Sequence, residues 1–170
     1  MAVINPIKPQ NLAFENLWQK NAAHLAPEIV TIWKQFNPGL EEAKADERLN
    51  QIVYVVKNEF GQVVGISTAF KAYIKQLRNH LYAFRLIILP EYRIPGMSSK
   101  LTVMTRDFLE SIYKSDERDR CIGIVTLVEN EELKKTRNEA VWKASGLTYI
   151  GNSGNGSHIR VYYFKDAVIA

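Results

Sequence analysis

Leu86-Ile-Ile-Leu-Pro-Glu-Tyr-Arg-Ile-Pro-Gly-Met-Ser-Ser-Lys-Leu101 is the stretch whose reading decides the fold. An apolar strand runs into Pro90 and turns through Arg93, Pro95 and Gly96. It then enters a helix whose apolar residues Leu101, Met104, Phe108 and Ile112 recur three or four apart. The first turn of a helix has backbone N–H groups without intrahelical partners, and its dipole places about half a positive charge there. A strand, a glycine turn and a helix N-terminus together make an anion site, with phosphate or pyrophosphate as the expected guest.

Bulk composition sets the frame. A length of 170 residues is expected to make one domain, and 46% hydrophobic with 24% charged residues is ordinary for a globular protein. No window approaches the roughly 18 apolar residues of a membrane span. Met1-Ala-Val-Ile-Asn-Pro has neither a basic start nor a long apolar run, so a secretion signal is not expected. The single cysteine, Cys121, fits a reducing compartment, and the expected location is cytoplasmic. A net charge of +4 is compatible with an anionic ligand or with nucleic acid. However, the basic groups around Lys134 and Lys114 are interleaved with acids and read as solvated faces. No His/Cys/Asp/Glu spacing suggests a metal site.

Along the chain, Met1 to Ile7 has room for one short strand. Helices are expected over Asn11 to Ala23, Pro27 to Phe36 and Leu40 to Leu49. Strands follow over Gln51 to Lys57, Val63 to Ile74 and Leu81 to Leu89, joined by turns at Asn58–Gly61 and near Gln76–Asn79. After the Gly96 turn a helix runs to about Tyr113, and Lys114 to Arg120 is a loop. Cys121 to Val128 reads as a buried strand, Glu131 to Ser145 as a helix capped by Gly146. Leu147 to Gly151 and Ile159 to Phe164 are the last strands, separated by a flexible loop, Asn152 to His158. The class is α/β (α+β): a mixed, mostly antiparallel sheet with helices on both faces.

That element order, with Arg93, Gly96 and Ser98 in the turn, resembles the GNAT superfamily of N-acyltransferases. The family signature is Arg or Gln, two residues, Gly, one residue, then Gly or Ala, after a Val-x-Pro-like strand end. Here Ser98 replaces the last small residue. Gly146-Leu147 matches the family's closing Gly-Phe or Gly-Leu. The resemblance covers about residues 51 to 165, so residues 1–170 read as one GNAT-like acyltransferase domain. Its helical part is 1–50 and its acyl-CoA-binding part is 51–165. The resemblance implies acetyl-CoA or another acyl-CoA as co-substrate. Its pyrophosphate would sit on the N–H groups of Ile94, Gly96, Met97, Ser98 and Ser99, with Arg93 as a forked cation nearby. Pro95 departs from the pattern by removing one N–H. Backbone groups near Leu86 and Ile88 would pair with the pantetheine arm, and the Leu86 N–H would polarise the thioester carbonyl. The family's pantetheine-binding Asn has Asn130 as its nearest equivalent.

Catalytic positions diverge from the family. The resemblance puts an acid Tyr where this chain has Trp142, whose indole N–H is no useful acid. The strand positions for a base are Tyr82 and Phe84, and an ordinary Tyr phenol, with a pKa of about 10, is a poor base at neutral pH. Tyr82 and His158 are therefore the candidate acid and base, with His80 a further option. Arg85 faces the opposite way, toward an apolar surface, where a structural ion pair is its default reading. Cys121 reads as a buried structural thiol. By resemblance the acceptor site involves Trp33, Phe36, Phe84 and Trp142 with the Asn152 to His158 loop. The function expected is acyl transfer from acyl-CoA to a small-molecule or peptide amine by direct attack, with a homodimer as the assembly to look for. The alternatives are a non-catalytic acyl-CoA sensor and an acyltransferase acting on an aminoacyl-tRNA.

Overall fold

Two runs of β-branched residues, Ile52–Lys57 and Val63–Ile74, meet across the Asn58–Gly61 turn and start the sheet. In the computed structural model, which describes residues 11–169, these are β2 (Ile52–Lys57) and β3 (Val63–Ile74). The other strands are β1 (Ala13–Asn16), β4 (Asn79–Ile88), β5 (Cys121–Val128), β6 (Thr148–Asn152) and β7 (His158–Tyr163). They form one seven-stranded sheet in the order β1-β2-β3-β4-β5-β7-β6. All neighbours are antiparallel except β4 and β5, which run parallel because a helix crosses between them. The helices are α1 (Ala26–Phe36), α2 (Glu42–Leu49), α3 (Met97–Ser111) and α4 (Glu131–Thr136). None of these is long and apolar enough to cross a membrane.

Strand alternation sorts the side chains onto two faces. Ile66 and Ile87, a register pair of β3 and β4, pack with Ile29, Ile32 and Trp33 of α1 and with Ala45 of α2. On the other face Val56, Val64 and Ile88 pack with Met97 and Leu101 of α3, and Tyr82, Ala69 and Ile124 pack with Leu109. Helices on both faces of a mixed, mostly antiparallel sheet are thus the observed architecture. Leu81, Ile122, Val125, Ile159 and Val161 form a further cluster on the α1 face, next to Leu77 of the β3–β4 turn and Ala167.

Two expected helices are different, each for a tertiary reason. The Asn11 to Ala23 segment is not helical: Ala13–Asn16 pairs antiparallel with β2 from Ala13↔Lys57 to Asn16↔Tyr54. The free edge of β2 offers backbone hydrogen bonds that outweigh a weak helical pattern, and a 2.6 Å ion pair from Lys57 to Glu15 fastens the added strand. Glu131 to Ser145 is helical only to Thr136. The cause is Arg160 of β7, which is 1% exposed and needs acceptors. Its Nη2 donates to the Arg137 carbonyl (3.2 Å) and its Nη1 to the Ala140 carbonyl (3.4 Å), so those carbonyls leave the helical ladder. Tyr149 N–H also donates to the Ala140 carbonyl at 2.8 Å, adding this segment to the sheet edge. Gly146 accordingly closes a turn on the Trp142 carbonyl (2.7 Å) instead of ending a long helix. The short strand expected within Met1 to Ile7 lies outside the described residues.

β5 and β7 approach closely enough to require glycine at one position. A Cβ on Gly123 would fall 2.0 Å from the Tyr162 carbonyl oxygen. Gly123→Ala is therefore expected to cost about 3 kcal/mol or more, since backbone is what must shift. Urea denaturation checks this, and an unchanged midpoint would refute the close approach.

Candidate acyl-CoA site

The parallel pair β4 and β5 stays together only briefly. Its register runs from His80↔Cys121 to Ala83↔Val125 and stops there. β4 continues to Ile88 on β3, while β5 continues to Val128 on β7. The two strands therefore part, and a gap opens between the end of β4 and the end of β5.

One hydrogen bond fixes which backbone groups line that gap. Leu89 N–H donates to the Val64 carbonyl at 2.9 Å, so odd-numbered residues of this part of β4 bond β3. Leu86 and Ile88 consequently turn their N–H and C=O groups toward the gap. The Ile88 carbonyl is already taken by Arg93 Nε at 2.9 Å. What remains for a guest is the Leu86 N–H and C=O and the Ile88 N–H. This is a strand edge of the kind an extended amide-bearing chain adds to.

The gap leads to the Gly96 turn. Gly96 is the N-terminal cap of α3 with φ 81° and ψ −11°, and no side chain caps the helix. That left-handed conformation favours glycine. No atom lies within 4 Å of where a Cβ would sit, so the turn is open in front. Met97 N–H is spent on the Ile94 carbonyl (3.1 Å) and its side chain is buried in the core. Among the described residues the N–H groups of Gly96, Ser98 and Ser99 have no acceptor, and Ser98 is exposed. Of the five expected donors, the geometry leaves these three and Ile94, with no acid in the first turn of α3. Lys100, which sequence reading passed over, adds a cation in that turn, 4.4 Å above the Phe14 ring. A basic residue directly after the two serines was the available signal.

Arg93 is exposed, and it acts as a brace more than as a free cation. Its Nε holds the end of β4, and its guanidinium lies 5.7 Å from the Phe36 ring centroid at the end of α1. Asn130 caps α4, its Oδ1 accepting from Leu133 N–H at 2.8 Å, which leaves its amide N–H groups.

The candidate catalytic side chains are less well placed. Tyr82 lies in the part of β4 still paired with β5, roughly 13 Å along the strand from Leu86. It is buried between Trp18 and Phe164, and desolvation, with a smaller effect of Cys121, pushes its phenol up to about 12. A phenol so raised is no base at neutral pH, although it keeps a proton to donate. His158 begins β7 opposite Val128, one strand beyond the gap; its ring centroid lies 5.2 Å from that of Tyr149, and its buried Nδ1 has no partner among the described residues. His80 is farther still, at the opposite end of β4.

The expected acceptor-site residues divide in the same way. Phe36 is 43% exposed and Phe84 is buried on the α3 face. Trp33 is buried in the α1 core. Trp142 donates its indole N–H to the Arg137 carbonyl at 3.0 Å, and its ring lies 4.2 Å from Arg160 and 4.8 Å from Arg137. Arg85 does face away from Tyr82, as alternation requires, but it is exposed and stacked 4.9 Å from the Phe70 centroid, with no ion pair among the described residues. Sequence reading also missed Glu129, an exposed carboxylate directly after β5, on the far wall of the gap. Its signal was an acid ending a buried strand.

No family model matches this sequence, and no curated protein does. Solved structures do match. A phosphinothricin acetyltransferase of the GNAT superfamily from Sinorhizobium meliloti, in complex with AcCoA, aligns with a TM-score of 0.66 at 13% identity over 90% of this chain and 88% of its own. A GNAT-family acetyltransferase from Streptococcus pneumoniae gives 0.64 at 12%, over 90% and 99%. The ribosomal-protein-S5-alanine acetyltransferase from Vibrio fischeri gives 0.59 at 13%, over 91% and 94%. The chain has the fold of the GNAT acetyltransferases.

Cys121 sits beside Tyr82 at the closed end of the parallel pair, and desolvation pushes its thiol up to about 12. It is expected to resist iodoacetamide at pH 8 in the folded protein and to react at once in denaturant. Labelling followed by mass spectrometry reads this, and rapid native labelling would contradict the burial.

Proposed function

We propose that this protein binds acyl-CoA in the gap between β4 and β5 and transfers the acyl group to an amine. The observation that carries the reading is the conjunction of the parted strands with an uncapped, open helix N-terminus at Gly96. Neighbours of the same fold that carry AcCoA or CoA add to it. The pyrophosphate rests on the N–H groups of Gly96, Ser98 and Ser99, with Lys100 nearby. The pantetheine amides pair with Leu86 and Ile88, and the Leu86 N–H faces the thioester oxygen.

In the reaction the amine nitrogen attacks the thioester carbon. A C–N bond forms, the C–S bond breaks, and the CoA sulfur leaves as thiolate and takes up a proton. The amine loses one proton to solvent or to a nearby carboxylate, of which Glu129 is the one on the gap wall. Holding amine and thioester together supplies most of the acceleration, since Tyr82 is too high in pKa to act as a base.

A second reading is supported by that same fact and by the engaged indole of Trp142: an acyl-CoA sensor that does not turn over. A nucleic-acid-borne amine has only the net charge of +4 in its favour.

Calorimetry with acetyl-CoA is expected to give a Kd of about 1–100 μM. Gly96→Asp is expected to weaken it at least about 100-fold, through a carboxylate in the cradle, while the far-ultraviolet circular dichroism stays native. Unchanged affinity in that variant would remove the pyrophosphate assignment. Release of CoA thiol on adding amines then separates transferase from sensor. Tyr82→Phe is expected to lower that rate no more than about threefold, and a loss of about 100-fold would make Tyr82 the proton donor.

A further inference from the structure

Where β4 and β5 cease to pair, a bound group can be approached from either face of the sheet. The opening on the α3 face is bordered by the helix whose N-terminus is the proposed phosphate cradle. The opening on the α1 face is therefore the one through which an acceptor comes. Its β4 wall is Arg85, the residue next to Leu86 and the first on this face beyond the last β4–β5 pair.

Arg85 is an unusual residue for that place. It is exposed, and the Phe70 ring, 4.9 Å from its guanidinium, supports the flat side of the group and leaves the N–H edge free. Among the described residues no ion pair or hydrogen bond engages its five donors. Its stem is partly desolvated, and the guanidinium of Arg48, in the last turn of α2, adds a weaker through-space effect of like sign. Glu47 of α2 and Glu129 beyond β5 act on it only through space, and neither closes an ion pair with it. A guanidinium stacked in place, with its N–H edge exposed, is arranged for an anion. The fork geometry of a guanidinium matches the two oxygens of a carboxylate.

We propose that Arg85 binds a carboxylate of the acceptor, so that the substrate is an amine carrying an acidic group, such as an amino acid. Glu129 on the opposite wall then faces the acceptor's ammonium, and the mouth is charged to match a zwitterion. The inference rests on the acyl-CoA reading, because that reading places the thioester at Leu86.

The test compares L-amino acids with their decarboxylated amines, phenylalanine with phenethylamine and histidine with histamine. CoA thiol release is measured, and acetyl-CoA affinity is measured separately by calorimetry. In the wild type the acid member of each pair is expected to show kcat/KM at least about 10-fold above its amine. Arg85→Gln is expected to collapse that preference to near unity through KM, with acetyl-CoA affinity unchanged. Arg85→Lys, which keeps the charge without the fork, is expected to fall between. If acetyl-CoA itself does not bind, the underlying reading fails and this one with it. If acetyl-CoA binds and both members of each pair react equally, only the carboxylate assignment is overturned. The same holds if a phosphorylated amine is preferred to every carboxylate. If no amine reacts, calorimetry of phenylalanine and phenethylamine on the CoA-loaded protein decides, and equal or absent binding of the two overturns the assignment.

Discussion

The parting of two parallel strands at Ala83 and Val125 is the constraint on which the rest of this molecule depends. Each strand is claimed by a different outer neighbour: β4 by β3 along its whole length, β5 by β7 from Gly123 to Val128. The gap exposes main-chain donors and acceptors that a closed sheet would consume. It also brings the N-terminus of α3 to the end of β4 through the short Pro90–Pro95 turn. Arg93 fixes that arrangement by tying the Ile88 carbonyl to the turn and stacking on Phe36.

Binding and chemistry draw on different parts of this frame. The groups that would hold an acyl-CoA are backbone atoms or first-turn N–H groups, and they depend on strand parity and on one glycine with positive φ. Side chains at the conventional acid and base positions are packed into structure. Tyr82 is walled in by Trp18 and Phe164, and Trp142 lies against two arginines with its N–H used. Two exposed charged residues, Arg85 of β4 and Glu129 after β5, instead lie beyond the last β4–β5 pair.

Arg160 shows how one buried group can reshape a neighbouring segment. Among the described residues its guanidinium has no carboxylate partner and its buried Nε no acceptor; its Nη groups rely on the Arg137 and Ala140 carbonyls, and its face on the Trp142 ring. A cation so enclosed is costly unless its donors are met, and the two carbonyls that meet the Nη donors are the ones an uninterrupted α4 would have used in its own ladder.

The local sequence determined a good deal. A continuous apolar run placed Cys121–Val128 to the residue, strand alternation separated Arg85 from Tyr82 and Phe84, and the glycine before a helical period marked Gly96 as the turn before α3. Those are short-range properties, set by side-chain period and by the conformations that Pro and Gly permit. Partnership between distant segments was not legible. That Ala13–Asn16 is a strand depends on the free edge of β2, forty residues away in round terms (about 40). That the helix after Asn130 stops at Thr136 depends on Arg160. The exposed setting of Arg85 depends on β4 leaving β5, since a closed pair would have brought a β5 side chain beside it. Sequence by itself determined which turn could hold an anion; only the tertiary structure decided that a gap leads to it and which residues flank it, because the point at which β4 and β5 stop pairing is a property of strands remote from one another in the chain.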